Sequence, residues 1–354
     1  MFFRHDMTTR WHVILLVWLG AVLLCAGCGR QPKCVDNPQP SVYYWRTTFS
    51  LDDAERSFLA EHKIGKLYLH LFDVVRGQDG GLQPSATLLF QDSVPKDVEV
   101  IPVVFIAPGA LRDTSGVSEL PGLIVRRIDQ MLEQNYVGAA TEIQLDYDWV
   151  QSDQQTYFAM LQSVVNQLHA SGRKLSVTIR LHQLSLPVPP ADYGVLMVYN
   201  TGNLTKGDET NSILSVNAVG PYLRNLHDYD LPLCTALPVY SWDLLFHSGH
   251  FVQILKGVDV RDTACFAPID SVHYRCLQYM PAPNNGVVDS ESQRMFPGDV
   301  VRHEWADMAT IRKVRSMLER ERPGVCSQTI VYHLDNKSLN QYTTNEIQEF
   351  FTKP

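Results

Sequence analysis

The stretch Glu142-Ile143-Gln144-Leu145-Asp146-Tyr147-Asp148-Trp149 decides how this chain is read. Side chains on a β-strand alternate between two faces. Gln144, Asp146 and Asp148 therefore share one face, and Leu145 and Tyr147 share the other. The apolar face packs under helices. The face with two carboxylates and an amide needs a polar interior, because a charge leaves water only when paired or put to use. The combination predicts a strand with helices outside and polar residues lining a barrel interior. The carboxylates come last, at the C-terminal rim, where parallel α/β barrels place their active sites.

Seven other runs fit the same scheme: residues 42–49, 66–74, 98–106, 174–181, 194–200, 233–240 and 329–334. Several are apolar on both faces, as strands buried in a parallel sheet are. Helical segments alternate with them. Ser50 and Asp53 resemble a capping box ahead of 54–62, and 121–133 is amphipathic. Ser152 is read as the cap of 157–170, where Phe158, Leu161, Val164 and Leu168 fall on one face. Segments 219–226 and 308–321 follow later strands, and Thr344 is read as the cap of 345–351. Eight strands alternating with helices predict a single (β/α)8 TIM-type barrel over residues 41–354. An open doubly wound sheet is the alternative, but no glycine-rich phosphate loop follows the first strand. The Pro-, Asn-, Asp- and Ser-rich stretch 257–304, with an extra strand at 274–279, reads as an insertion between strands seven and eight. If it extends the loop after the seventh strand, it lies beside the active-site end.

At the N-terminus, Arg4 and Arg10 precede an apolar run at 13–24 that is too short to span a bilayer and has the pattern of a secretory signal. It ends in Leu24-Cys25-Ala26-Gly27-Cys28, which resembles the lipobox of bacterial lipoproteins, with Cys25 where Leu is usual. The resemblance implies a signal peptide at 1–27, lipid on Cys28 and a polar tether over 28–40. The protein is then expected in the cell envelope, lipid-anchored at the outer membrane, facing the periplasm or the surface. A plain signal peptide or an uncleaved anchor is the other reading. The chain carries 30 Lys and Arg against 38 Asp and Glu, a net charge of −8. That balance argues against nucleic acid, whose binders need a basic patch, and against anionic headgroups. Membrane contact is expected through the lipid alone. Cys34, Cys234, Cys265, Cys276 and Cys326 match no zinc spacing. Cys265 and Cys276 form a disulfide in one reading; in the other all five are buried thiols. No metal and no cofactor is expected, and the oligomeric state is left open.

Two carboxylates one pleat apart repel, which raises one pKa and suits a general acid at neutral pH. The competing reading of Asp146 and Asp148 is a structural network, with Asp146 bonded to Arg180 or to backbone. Arg180 and His182 share a face at the end of strand five, above Ser176 and Thr178. They either bind an anionic sugar or neutralise the aspartates. His70 with Asp73, and His333 with Asp335, end strands two and eight as rim or core residues. Arg302-His303-Glu304 reads as a loop ion network. Tyr44, Trp45, Trp149, Tyr240, Trp242 and Trp305 lie near strand ends or in the long loop, where flat rings either stack on sugars or join the core. Motifs of zinc proteases, serine hydrolases and nucleotide enzymes are absent from the sequence.

Asp-X-X-Asp-X-Asp-X-Glu on the fourth strand marks glycoside hydrolase family 18, the chitinase-like barrels. Gln144, Asp146 and Asp148 fall in the register of its last three acidic positions. Met197-Val198-Tyr199-Asn200 is similar to the family's Met-X-Tyr-Asp on strand six. Leu237-Pro238-Val239-Tyr240, followed by Trp242, is similar to its Leu-Pro-X-Tyr-Gly on strand seven. The chain thus resembles this family over much of the barrel. It also resembles an uncharacterised family of bacterial barrel lipoproteins, through the segments from Tyr44 to Phe49, Phe72-Asp73-Val74 and Tyr332-His333-Leu334-Asp335. The first resemblance implies a glycoside-hydrolase-like protein acting on an amino-sugar glycan. Asp148 would protonate the glycosidic oxygen and Asp146 would orient and tune it. The substrate's own acetamido group would be the nucleophile, held by Tyr199. Gln144, Arg180, His182, Asn200, Tyr240, Trp242, Trp45 and Asp335 complete the substrate-binding candidates.

Three departures stand out. Asp148 replaces Glu and is shorter by one methylene, and a misplacement of about 1 Å costs proton transfer roughly 100-fold. Gln144 and Asn200 each replace an Asp. Family relatives that lack the Glu are often binding proteins. A non-catalytic glycan-binding or envelope scaffold lipoprotein on the same barrel is therefore the alternative.

Overall fold

The computed structural model describes residues 34–255, 258–281 and 294–353. The signal segment, Cys28 and tether residues 28–33 lie outside the described residues. Eight strands form a closed barrel: β1 (Ser41–Tyr44), β2 (Lys66–Arg76), β3 (Glu99–Ile106), β4 (Glu142–Asp146), β5 (Lys174–Arg180), β6 (Tyr193–Met197), β7 (Leu233–Pro238) and β8 (Thr329–Tyr332). Each pairs in parallel with the next, and β8 closes on β1 through Ser41↔Ile330 and Val42↔Val331. The TIM-type architecture read from the sequence is the one observed, and every barrel strand falls within an expected run or one residue outside it, except that β2 continues to Arg76. Among the described residues no helix is long and apolar enough to cross a membrane.

Helices α1 (Asp53–Glu61), α2 (Leu120–Gln134), α3 (Gln154–Ala170), α4 (Met308–Glu321) and α5 (Thr344–Phe350) accompany the barrel. The alternation is incomplete. Between β2 and β3 lies an antiparallel strand, Leu82–Ser85, paired back on β2. Between β5 and β6 there is only a 3-10 turn, Leu181–Ser185. Pro187, Pro189 and Pro190 follow that turn and cannot donate to helical carbonyls. Three caps differ from expectation. Asp52, not Ser50, caps α1 in a reciprocal box with Glu55, because the Ser50 carbonyl and amide are both engaged by the Tyr44 hydroxyl. Asp153, not Ser152, stands at the start of α3. Its carboxylate accepts from the Tyr147 hydroxyl at 2.6 Å and from the Val150 amide at 2.8 Å. Thr343, not Thr344, caps α5 and pairs with Glu346.

The core has two layers. Outside the barrel, Leu145 and Tyr147 pack with Tyr157, Leu161 and Val164 of α3. Inside it, Tyr43, Tyr68, Val103, Val195, Met197 and Ile330 form a separate cluster. A hydrogen-bonded series crosses this interior. Gln328 donates to the Tyr68 hydroxyl at 3.1 Å, Tyr68 and Tyr193 share a hydroxyl contact at 2.8 Å, and Tyr193 donates to Glu142. Ser176 also donates to Glu142, Gln144 donates to Ser176, and Tyr43 donates to Gln144 at 2.6 Å. Buried polar groups persist only when satisfied in this way.

The sheet inserted after β7 begins earlier than residue 257. Its five strands run in the order His250–Leu255, Ser241–His247, Val300–Trp305, His273–Cys276, Phe266–Pro268, all antiparallel. The first hairpin turns at Ser248 and Gly249, both with positive φ of 50° and 81°. Two consecutive left-handed residues are what a tight hairpin turn needs. The second segment, His273–Cys276, overlaps the strand expected at 274–279. Cys265 and Cys276 lie here as free thiols, each contacting Gln278, and the other three described cysteines are free as well.

Candidate functional site

β4 and β5 deliver their last inward side chains to the same spot. Asp146 is only 4% exposed. One of its oxygens, Oδ1, accepts from the Thr178 hydroxyl at 2.6 Å and from Arg180 Nη2 at 2.9 Å. The structural reading of Asp146 is therefore realised, with Arg180 as its partner. Burial works against the Arg180 charge, and its acidic neighbours, Asp146 foremost, outweigh it, so the pKa rises above the usual arginine value.

Asp148 lies past the end of β4, with its side chain 45% exposed. The His182 imidazole approaches it at 3.5 Å, too long for a firm hydrogen bond. Asp148 Oδ1 and Arg180 Nη1 are buried atoms without a hydrogen-bond partner among the described residues. Both residues line one cavity of about 310 Å³, with His182, Tyr199, Asn200 and Tyr222 on its other walls. The cavity holds one carboxylate, a guanidinium and aromatic surface together, as small-ligand sites do.

Tyr199 extends the β6 direction and donates to the Met197 sulfur at 3.3 Å. Its ring stacks on Tyr332 at 4.6 Å and meets Tyr240 edge-on at 6.2 Å. Burial, then the neighbouring Tyr332, holds the Tyr199 hydroxyl pKa well above its ordinary value, so it is a neutral donor. Asn200 adopts a left-handed conformation, φ 53°, which Asn tolerates better than most residues. Its carbonyl accepts from the Tyr240 hydroxyl at 2.5 Å. Trp45 stacks on the His70 ring at 4.5 Å, and His70 is held by Asp73 at 2.7 Å. Trp242 contacts Tyr240 edge-on and donates its ring N–H to Glu304 at 2.8 Å.

Other expected members sit elsewhere. Gln144 is fully buried one layer below Asp146, bonded to Tyr43 and Ser176, so it serves the barrel interior. Asp335 caps the short helix Asn336–Leu339 by accepting from Ser338. Tyr44 and Trp149 belong to the outer core. Arg302 and Glu304, read as a loop network, form an ion pair at 0% exposure. Glu304 also binds Ser212, which ties the segment after β6 to the inserted sheet. Tyr332, Tyr43 and Tyr222 were not singled out. The inward register of β8 would have placed Tyr332 at the mouth. Tyr222 comes from a 3-10 turn, Gly220–Asn225, without periodicity. Among the described residues no group of three or more His, Cys, Asp or Glu side chains is arranged to hold a metal ion.

Comparison with solved structures places this geometry. The C-terminal domain of a putative chitinase from Desulfitobacterium hafniense superposes with TM-score 0.55 at 11% identity, over 89% of this chain and 100% of that one. A chitinase from Chromobacterium violaceum gives 0.53 at 14%, over 89% and 98%. The spore cortex-lytic enzyme SleL of Bacillus megaterium gives 0.52 at 14%, over 90% and 76%. The chain has the fold of the chitinase-like barrels. No family model and no curated protein sequence matches it. At these identities the likeness establishes the fold, and function has to be argued from the site.

Proposed function

We propose that this protein is a glycoside-hydrolase-like lipoprotein acting on an amino-sugar-containing glycan, with Asp148 as general acid. The observation that carries the reading is the Asp148 carboxylate, which sits half-exposed on a cavity wall at the C-terminal mouth with only the loose His182 contact at 3.5 Å to hold it. A general acid must reach the glycosidic oxygen directly or through one water. Tyr199 would supply a neutral hydroxyl donor for the acetamido group of the substrate, with the rings of Tyr240 and Tyr332 packed against it. Lipid on Cys28 would hold the barrel in the cell envelope, at the outer membrane. Mass spectrometry of the N-terminal peptide tests that part: a diacylglyceryl adduct on Cys28 is expected, and an unmodified or uncut N-terminus contradicts it.

One observation favours the binding alternative. Asp146 is tied to Arg180 and Thr178. A fixed positive charge beside the reacting centre opposes the positive charge that glycosidic cleavage develops. The two readings separate in one experiment. The protein and its Asp148→Asn variant are incubated with chitin oligosaccharides, peptidoglycan fragments and N-glycans, and products are read by mass spectrometry. Cleavage that disappears in the variant supports the hydrolase. Binding without cleavage at any pH supports the non-catalytic barrel and sinks Asp148 as an acid.

A further inference from the structure

A second cavity, of about 380 Å³, lies beside the mouth. Its walls come from the inserted sheet and from the segment after β8: Ser241, Asp243, Arg261, His303, Lys337 and Gln341. Ser241 follows Tyr240, whose hydroxyl is bonded to Asn200 on the first cavity wall. The two cavities are thus neighbours along the same rim.

Of the two acids of this second cavity, Asp243 has a side-chain partner and Asp259 a backbone one. Asp243 and His303 face each other across paired strands, and the carboxylate holds the ring at 2.7 Å. Asp259 accepts from the Arg261 backbone amide at 3.0 Å. The cations are not engaged. Among the described residues neither the Arg261 guanidinium nor the Lys337 ammonium makes an ion pair or a side-chain hydrogen bond. Lys337 is carried by the short helix that Asp335 caps. Gln341 donates to Ser241 Oγ at 3.1 Å, which leaves the Ser241 proton to point at a ligand. Two cations without side-chain partners and a hydroxyl donor, brought to one cavity by the insertion and the segment after β8, match a carboxylate, which accepts hydrogen bonds and pairs with a guanidinium fork.

We propose that this cavity is a subsite for a carboxylate-bearing sugar of the same glycan, read by Arg261 and Lys337. The proposal rests on the glycan reading above, and it names the substrate as acidic rather than neutral. Each exposed ion pair adds little, so the two cations together favour the acidic sugar by about five- to tenfold.

The test uses the full-length chain in detergent and titration calorimetry. One probe is a tetrasaccharide of N-acetylglucosamine alternating with its lactyl ether. The other is the same tetrasaccharide with the lactyl carboxyl reduced to the alcohol. Tighter binding of the acid is expected, with the gap closing in about 1 M salt, where charges are screened within about 3 Å. The gap should also close in the Arg261→Ala/Lys337→Ala double variant, which loses far more affinity for the acid than for the alcohol. Both side chains are exposed, so the variant should fold, and a thermal melt matching that of the wild type checks that it has. Equal affinity of the two probes for the wild type, or a gap that survives in the double variant, overturns the acidic subsite alone. Failure of both probes and of a chitin tetrasaccharide to bind the wild type overturns the glycan reading along with it; failure of the two probes alone, with the chitin tetrasaccharide bound, overturns the acidic subsite only.

Discussion

Replacing Arg180 by Met leaves the Asp146 carboxylate at 4% exposure with only the Thr178 hydroxyl to satisfy it. Removing one member of a buried ion pair costs about 3–5 kcal/mol, because the other charge stays desolvated. The Arg180 side chain is 24% exposed and that of Asp146 is 6% exposed, so solvent already screens part of this pair. The expected loss is therefore nearer 2–3 kcal/mol. Urea unfolding at pH 7, followed by tryptophan fluorescence, measures it. The double variant Arg180→Met/Asp146→Leu removes both charges from the same space and should lie within about 1 kcal/mol of the wild type. A single variant that loses less than about 0.5 kcal/mol would show that Arg180 does not neutralise Asp146. Additive losses in the double variant would refute the pairing equally.

Three further outcomes follow from the packing. Burial raises the Glu142 pKa above its ordinary value, against the pull of Lys66. A carboxyl with a raised folded pKa holds its full stability below the unfolded value, and loses stability as pH rises through the folded one. Glu142→Gln should therefore melt higher than the wild type at pH 7 and equal it below about pH 4, where both states carry the proton; a lower melting point at pH 7 counts against this. Glu304→Leu strands Arg302, and both side chains are 0% exposed, so the loss should reach about 3–5 kcal/mol in urea unfolding. A Cβ on Gly194 would meet Ile179, Leu231 and Leu233 at 2.8–2.9 Å; Gly194→Ala should cost about 1–3 kcal/mol, and an unchanged unfolding midpoint would show that β6 shifts freely.

The barrel was legible because its strands are largely buried on both faces, and Val, Ile, Leu and Tyr dominate them, with polar residues such as Gln144, Asp146, Ser176 and Thr178 confined to the inward face. The face assignment of β4 followed from alternation alone, and Leu145 and Asp146 lie where it put them. The inserted sheet was legible only in part. Its first two strands, Ser241–His247 and His250–Leu255, fall between the seventh run, which was read to end at 240, and the insertion read to begin at 257, because no Pro- or Gly-rich break separates Tyr240 from Trp242. Capping was the weakest inference. Ser50, Asp52 and Asp53 all qualify on type within a few residues, and contacts outside the helix decide among them, such as the Tyr44 hydroxyl on Ser50. Gln144 and Asp335 were assigned to the mouth from register and rim position. One is bonded a layer deeper and the other caps a helix, because depth along the barrel axis and local capping leave no mark in a period of two.

The most direct measurement is a crystal structure of the Asp148→Asn variant soaked with a chitin oligosaccharide. The glycan should lie across the β4–β6 mouth, with a glycosidic oxygen within about 3 Å of residue 148 and an acetamido group against Tyr199. A glycan that binds firmly elsewhere on the barrel, or that lies in the mouth with no glycosidic oxygen near residue 148, would contradict the role given to Asp148.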